Sequence, residues 1–96
     1  MPAYIIFTRT HTLDQSELER YWSLLEKTMK GHLIEVLVPY GPFEVLEGEQ
    51  IEGIVVAKFP DMEAARKWFN SKPYKKVAIH RQKGALYNGI LVEGIA

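Results

Sequence analysis

The segment from Ile51 to Arg81, IEGIVVAKFPDMEAARKWFNSKPYKKVAIHR, constrains the fold more than any other. Ile54, Val55, Val56, Ala57 and Phe59 form a near-continuous apolar run broken only by Lys58, which suits a central strand covered on both sides. Pro60 ends the run because proline cannot donate to a strand ladder. Asp61 follows as a helix N-cap, with Glu63 in the first turn near the positive end of the helix dipole. Met62, Ala65, Trp68 and Phe69 recur at helical spacing, and Glu63, Arg66, Lys67 and Asn70 take the wet side. Pro73 disfavours helix at Lys72, so this helix should stop near Ser71, and Pro73 can itself open a following turn. Tyr74, Val77 and Ala78 would then face inward, with His80 and Arg81 at the end.

The rest of the chain fits around this unit. Ala3 to Arg9 reads as a first strand, with Ala3, Ile5 and Phe7 on one face and Tyr4, Ile6 and Thr8 on the other. Leu13 to Met29 is the clearest helix. Asp14 and Glu17 stand at capping-box spacing, and Leu13 and Leu18 at the positions of a hydrophobic staple. Its core stripe is Leu18, Tyr21, Trp22, Leu25 and Met29, and Gly31 caps its C-terminus. His32 to Val38 is a second strand, bent by Pro39-Tyr40-Gly41-Pro42. Phe43 to Leu46 is expected to resume extended structure. Leu86 to Ile95 is the last strand, loosened by Asn88-Gly89 and Gly94, which suits an edge or a bulge.

The order β-α-β-β-α-β is that of a split βαβ unit. The expected fold class is α+β: one ferredoxin-like domain over residues 1–96, with a four-stranded antiparallel sheet and both helices on one face. Strands one and three are apolar on both faces, so the uncovered face needs a partner. The expected partner is a second copy of the chain about a two-fold axis, with the two sheets face to face.

Composition removes several function classes. Lys plus Arg and Asp plus Glu balance at 12 each, which gives no electrostatic footprint for nucleic acid or an anionic membrane. There are no cysteines, hence no disulfide, thiolate nucleophile or Cys-ligated zinc. No apolar run approaches the roughly 20 residues of a membrane helix, and the first residues lack a signal-peptide layout. A cytoplasmic location is the expectation, with no cofactor. No P-loop, dinucleotide fingerprint or nucleophile elbow occurs.

Candidate site residues are few. His11, His32 and His80 share no metal-ligand spacing, and no metal site is expected. His32 follows the first helix, where it either acts as a general base or caps the negative helix end. Tyr74 and Arg81 are seven apart, on one face of a continuous helix. With His80 nearby, they either present a phenol and a fork of donors to a carboxylate or enolate, or serve as structural partners. Trp22 and Trp68 belong first to the core and second to the lining of a cleft between helices and sheet. The acidic run Glu44, Glu47, Glu49 and Glu52 reads as a solvated hairpin.

The opening PAYIIF, the segment PFEVLEG and the run FPDMEAARKWFNSKPYKKV followed by Arg81 resemble the domain-of-unknown-function family 1330, within the dimeric α/β-barrel superfamily. The resemblance covers nearly the whole chain and is most specific from Phe59 to Tyr74. It implies a ferredoxin-like fold that pairs into a barrel-like homodimer. The superfamily also includes heme-degrading and quinone-forming monooxygenases. Relatives tend to carry Gly-Gly after the first helix and Arg-Gly at the end of the second strand. Here the matching residues are Gly31-His32 and Val38-Pro39-Tyr40-Gly41.

Three readings of function remain. The first is a homodimer binding a small, partly apolar metabolite beneath its helices. The second is a cofactor-independent monooxygenase or isomerase in which His32, Tyr74 or His80 handles a proton. The third is a structural or regulatory dimer without a ligand. A cavity reached by Arg81 or a histidine favours the first two, and a core filled by Trp22 and Trp68 favours the third.

Overall fold

A computed structural model describes residues 1–96. The elements run β1 (Ala3–Thr12), α1 (Gln15–Thr28), β2 (Glu35–Pro39), β3 (Gly53–Phe59), α2 (Met62–Phe69), α3 (Lys72–Gly84) and β4 (Ala85–Glu93). The four strands form one antiparallel sheet in the order β2-β3-β1-β4. The two strands read as apolar on both faces, β1 and β3, are therefore central, and the glycine-loosened β4 is an edge. The molecule is 17 Å across its thinnest dimension, the depth of one sheet and one helical layer.

Helix starts follow the capping residues. The Asp14 carboxylate accepts from the Ser16 backbone N–H at 3.0 Å and from the Ser16 hydroxyl at 2.6 Å. The hydroxyl bond is the main reason the Asp14 carboxyl sits below its usual pKa. Asp61 accepts from the Ala64 N–H at 2.8 Å. Two helices are indeed separated, but the break falls at Asn70–Ser71 and not at Lys72: α2 ends at Phe69, Ser71 caps α3 by accepting from the Tyr74 N–H, and Lys72 and Pro73 lie in the first turn of α3.

Four local expectations need correction. Glu17 does not close a capping box with Asp14, because its Oε2 lies 2.6 Å from His80 Nδ1 on α3. Leu13 does not bury as a staple; it is 56% exposed while Leu18 is fully buried. The second strand starts at Glu35 rather than His32, because Gly31 is left-handed (φ +81°) and the His32 N–H turns back to the Met29 carbonyl at 3.0 Å. Residues 43–46 form no strand. Pro42 lacks a donor, and β2 is the edge of the sheet, so no strand lies beyond it for them to pair with.

The core lies between the sheet and its one helical layer. Ile5, Phe7, Ala57 and Phe59 rise from β1 and β3 against Tyr21, Ala65, Trp68, Tyr74, Val77 and Ala78 from the helices. Gly84 allows α3 to close onto α1: a Cβ there would meet Leu18 Cδ2 at 2.7 Å and the Leu18 backbone N at 3.0 Å. The Gly84 carbonyl accepts from the backbone N–H groups of Leu13 and Asp14, tying the end of α3 to the start of α1.

The opposite face of the sheet has no cover within the chain. Ile6 sits between Val56 and Ile90 in register, and Tyr4 between Lys58 and Val92. Ile90 is 61% and Val92 43% exposed. Polar groups on this face, Lys58 on one side and Thr8 with Asn88 on the other, flank the row Val56, Ile6 and Ile90, which is entirely aliphatic.

Candidate functional site

The helix-side core is not solid. A cavity of about 330 Å³ opens between α1 and the β2–β3 half of the sheet. Its helical wall comes from Tyr21, Trp22, Leu25 and Met29 of α1, with Trp68 of α2. Its floor comes from Phe7, Val36, Val55 and Ala57 of the sheet. Ile34, Pro39, Tyr40, Arg81 and Tyr87 complete the lining.

The cavity exists because aromatic residues alternate along elements that face one another. Tyr21, Trp22 and Leu25 share a stripe of α1 through the helical period. On β1 the inward period of two brings Phe7 and then Arg9 under that stripe, and Arg9 pairs in register with Tyr87 of β4. Tyr40 enters from the loop after β2 with a left-handed backbone (φ 57°) that is uncommon for an aromatic residue. Three contacts hold it there. Its N–H donates to the Ile54 carbonyl at 3.1 Å, its ring carries the Arg9 guanidinium at 5.2 Å, and it lies edge-on to Trp22 at 5.5 Å. Gly53 makes room for it, since a Cβ there would meet the Tyr40 ring at 2.7 Å.

Two tyrosine pairs mark the polar atoms of the site. The Tyr40 and Tyr87 hydroxyls share a short hydrogen bond, and Trp22 Nε1 donates to the Tyr40 hydroxyl at 3.4 Å. The Tyr21 and Tyr74 hydroxyls lie 2.9 Å apart. Burial, followed by the influence of Tyr74, pushes the Tyr21 phenol well above its ordinary pKa. Burial and the bond to Tyr40 do the same to Tyr87. Both phenols are therefore neutral at physiological pH and can donate or accept hydrogen bonds without ionising.

Arg81 is the one charged residue in the lining. It is 8% exposed, and its guanidinium lies 4.8 Å from the Phe7 ring centre and 5.2 Å from that of Tyr87. Its Nε is buried without a hydrogen-bond partner, and no carboxylate pairs with it. Arg9, stacked on Trp22 and Tyr40, likewise has a buried Nε without a hydrogen bond, but its charge is paired: the Nε lies 3.8 Å from Glu52 Oε1, and Nη2 donates to the Glu52 carbonyl at 3.3 Å. The Glu52 carboxyl is held below its usual range chiefly by the Thr12 hydroxyl, which donates to it at 2.6 Å.

The structure separates the residues singled out from the sequence. Trp22, Trp68 and Arg81 line the cavity. Tyr74 is fully buried behind it, and its hydroxyl is engaged by Tyr21. His80 is partly buried between α3 and α1, bonded to Glu17. His32 lines a separate shallow depression with Glu35, Lys58 and Pro60. Neither histidine reaches the cavity, and no cluster of three His, Cys, Asp or Glu could hold a metal ion. Tyr40 and Tyr87 are the residues that sequence reasoning missed. The one signal was the alternation Phe7, Arg9 on β1 facing Tyr87 on β4, which needs the register to be seen.

Comparison with known structures places the fold. A protein of unknown function from Rhodopseudomonas palustris superposes with a TM-score of 0.77 at 16% identity, over 99% of this chain and 83% of that one. SnoaB, a cofactor-independent oxygenase from Streptomyces nogalater, superposes with a TM-score of 0.67 at 10% identity, over 99% and 94%. A dimeric protein of unknown function and ferredoxin-like fold from Bacteroides fragilis does so with a TM-score of 0.61 at 12% identity, over 97% and 96%. At these identities the likeness concerns the fold, which is ferredoxin-like. No curated protein sequence matches the chain significantly. The model of one family matches residues 2–95, nearly the whole chain, and this protein therefore belongs to the family described as Domain of unknown function (DUF1330).

Proposed function

We propose that this protein is a homodimer that binds a small, partly apolar metabolite in the cavity beneath α1. The observation that carries the reading is the cavity itself. Trp22 and Trp68, the largest side chains of the chain, stand along its walls and leave about 330 Å³ open. That volume lies within the usual range of small-molecule sites and holds a ligand of about ten non-hydrogen atoms. A closed core would have favoured a structural role. The dimer rests on the aliphatic row Val56, Ile6 and Ile90 on the bare sheet face, and on the dimeric state of the Bacteroides fragilis protein of the same fold.

A cofactor-independent oxygenase or isomerase is the second reading, supported by the fold shared with SnoaB. Such chemistry needs a group that accepts a proton near neutral pH. His32 and His80 stand outside the cavity, and burial keeps Tyr21 and Tyr87 protonated. The geometry therefore favours binding over catalysis.

Thermal melting across a panel of small aromatic and branched aliphatic metabolites tests the first reading. Saturable stabilisation is expected for compounds that fit, and it should be lost when Val36→Trp fills the cavity. A flat response across the panel would overturn it.

A further inference from the structure

We infer that the cavity selects a planar aromatic monoanion, an arene carboxylate, whose charged group is taken by Arg81. This inference rests on the cavity being a ligand site and adds the chemical class of the ligand.

The first ground is an unbalanced charge. Arg81 is more than nine-tenths buried, its Nε is without a partner, and it makes no ion pair. A buried guanidinium is ordinarily paired or hydrogen-bonded, because removing it from water without compensation is costly. Its contacts to Phe7 and Tyr87 compensate only in part. The fork suits a bidentate carboxylate better than a point charge.

The second ground is the composition of the wall. Twelve of the fourteen lining residues are hydrophobic, and none is Asp, Glu, Lys or His. One cation and no anion admit one negative charge; a dianion would leave its second charge buried and unmatched. The hydroxyls of Tyr40 and Tyr87 can contribute hydrogen bonds to it.

The third ground is shape. Trp22, Trp68 and Tyr40 present ring faces and edges around the same space as Phe7 and Tyr87, which favours a flat π-system over a branched chain. The volume fits a single ring with its carboxylate and a substituent.

Benzoate and benzamide provide the test, since they share size and planarity and differ in charge. Binding is measured by calorimetry on the wild-type protein and on Arg81→Met, with 4-methylphenol as a neutral filler of the cavity. The expected result is that benzoate binds at least about tenfold more tightly than benzamide to the wild type, and that the preference disappears in Arg81→Met while 4-methylphenol still binds. Equal binding of benzoate and benzamide to the wild type, with 4-methylphenol also bound, would overturn the monoanion inference and leave the cavity reading standing. No binding of any of the three would overturn both. Should Arg81→Met fail to fold, the wild-type comparison decides by itself.

Discussion

The hydroxyls of Tyr21 and Tyr74 meet at 2.9 Å between α1 and α3, and both side chains are almost wholly buried. Each satisfies the other, so removing one leaves the other buried and alone. Tyr74→Phe should destabilise the fold by about 1–3 kcal/mol, the cost of an orphaned buried polar group. The double variant Tyr21→Phe/Tyr74→Phe should recover part of that loss. A double-mutant cycle from denaturant melts measures the coupling, and strictly additive losses would contradict it.

Alkaline pH should act on the same pair. An unfolded tyrosine releases its proton near pH 10, whereas burial holds the Tyr21 proton to well above that. The folded state thus binds more protons than the unfolded chain above this point. Stability from this group is complete below about pH 10 and declines as pH rises further, by up to about 1.4 kcal/mol per pH unit. Tyr87 shifts the same way but is only half buried and should contribute less. Denaturant melts between about pH 9 and 11.5 should show a decline that is shallower in Tyr21→Phe. The same slope in wild type and variant would contradict this origin.

The bare face of the sheet makes its own prediction. Ile6 lies at its centre, flanked in register by Val56 and Ile90. Glutamate there would set a charge against its own copy in a face-to-face pairing. Ile6→Glu should convert a dimer into a monomer by light scattering at micromolar concentration, with the secondary structure kept. A monomeric wild type would remove the dimer from the account.

Much of this architecture was legible in the sequence, because it depends on local chemistry. Pro60 and Asp61 mark where β3 stops and α2 begins, and Ser71 with Pro73 separates α2 from α3. Apolar residues on both faces of β1 and β3 gave their central position. The site was less legible because it depends on distant pairings. Glu17 stands where a capping box needs it, yet His80, 63 residues away, takes its carboxylate. Tyr74 and Arg81 share a helical face, but Tyr21 engages the phenol and leaves the guanidinium alone. Tyr40 reads as part of a proline-glycine bend. Its place in the cavity follows from the room left by Gly53 and from the ring stacking of Arg9, both set by sheet register.

The two tryptophans test the central claim, that the space beneath α1 receives a ligand. Trp22 and Trp68 are the only tryptophans in the chain, and both line the cavity. Their two indole N–H resonances in a nitrogen–proton correlation spectrum are therefore direct reporters of occupancy. On titration with benzoate and with 4-methylphenol, both signals should shift saturably with at least one of the two compounds, and with neither in Val36→Trp, where the added indole is assigned separately. Signals of Trp22 and Trp68 that stay fixed in the wild type up to millimolar concentrations of both compounds would contradict the account.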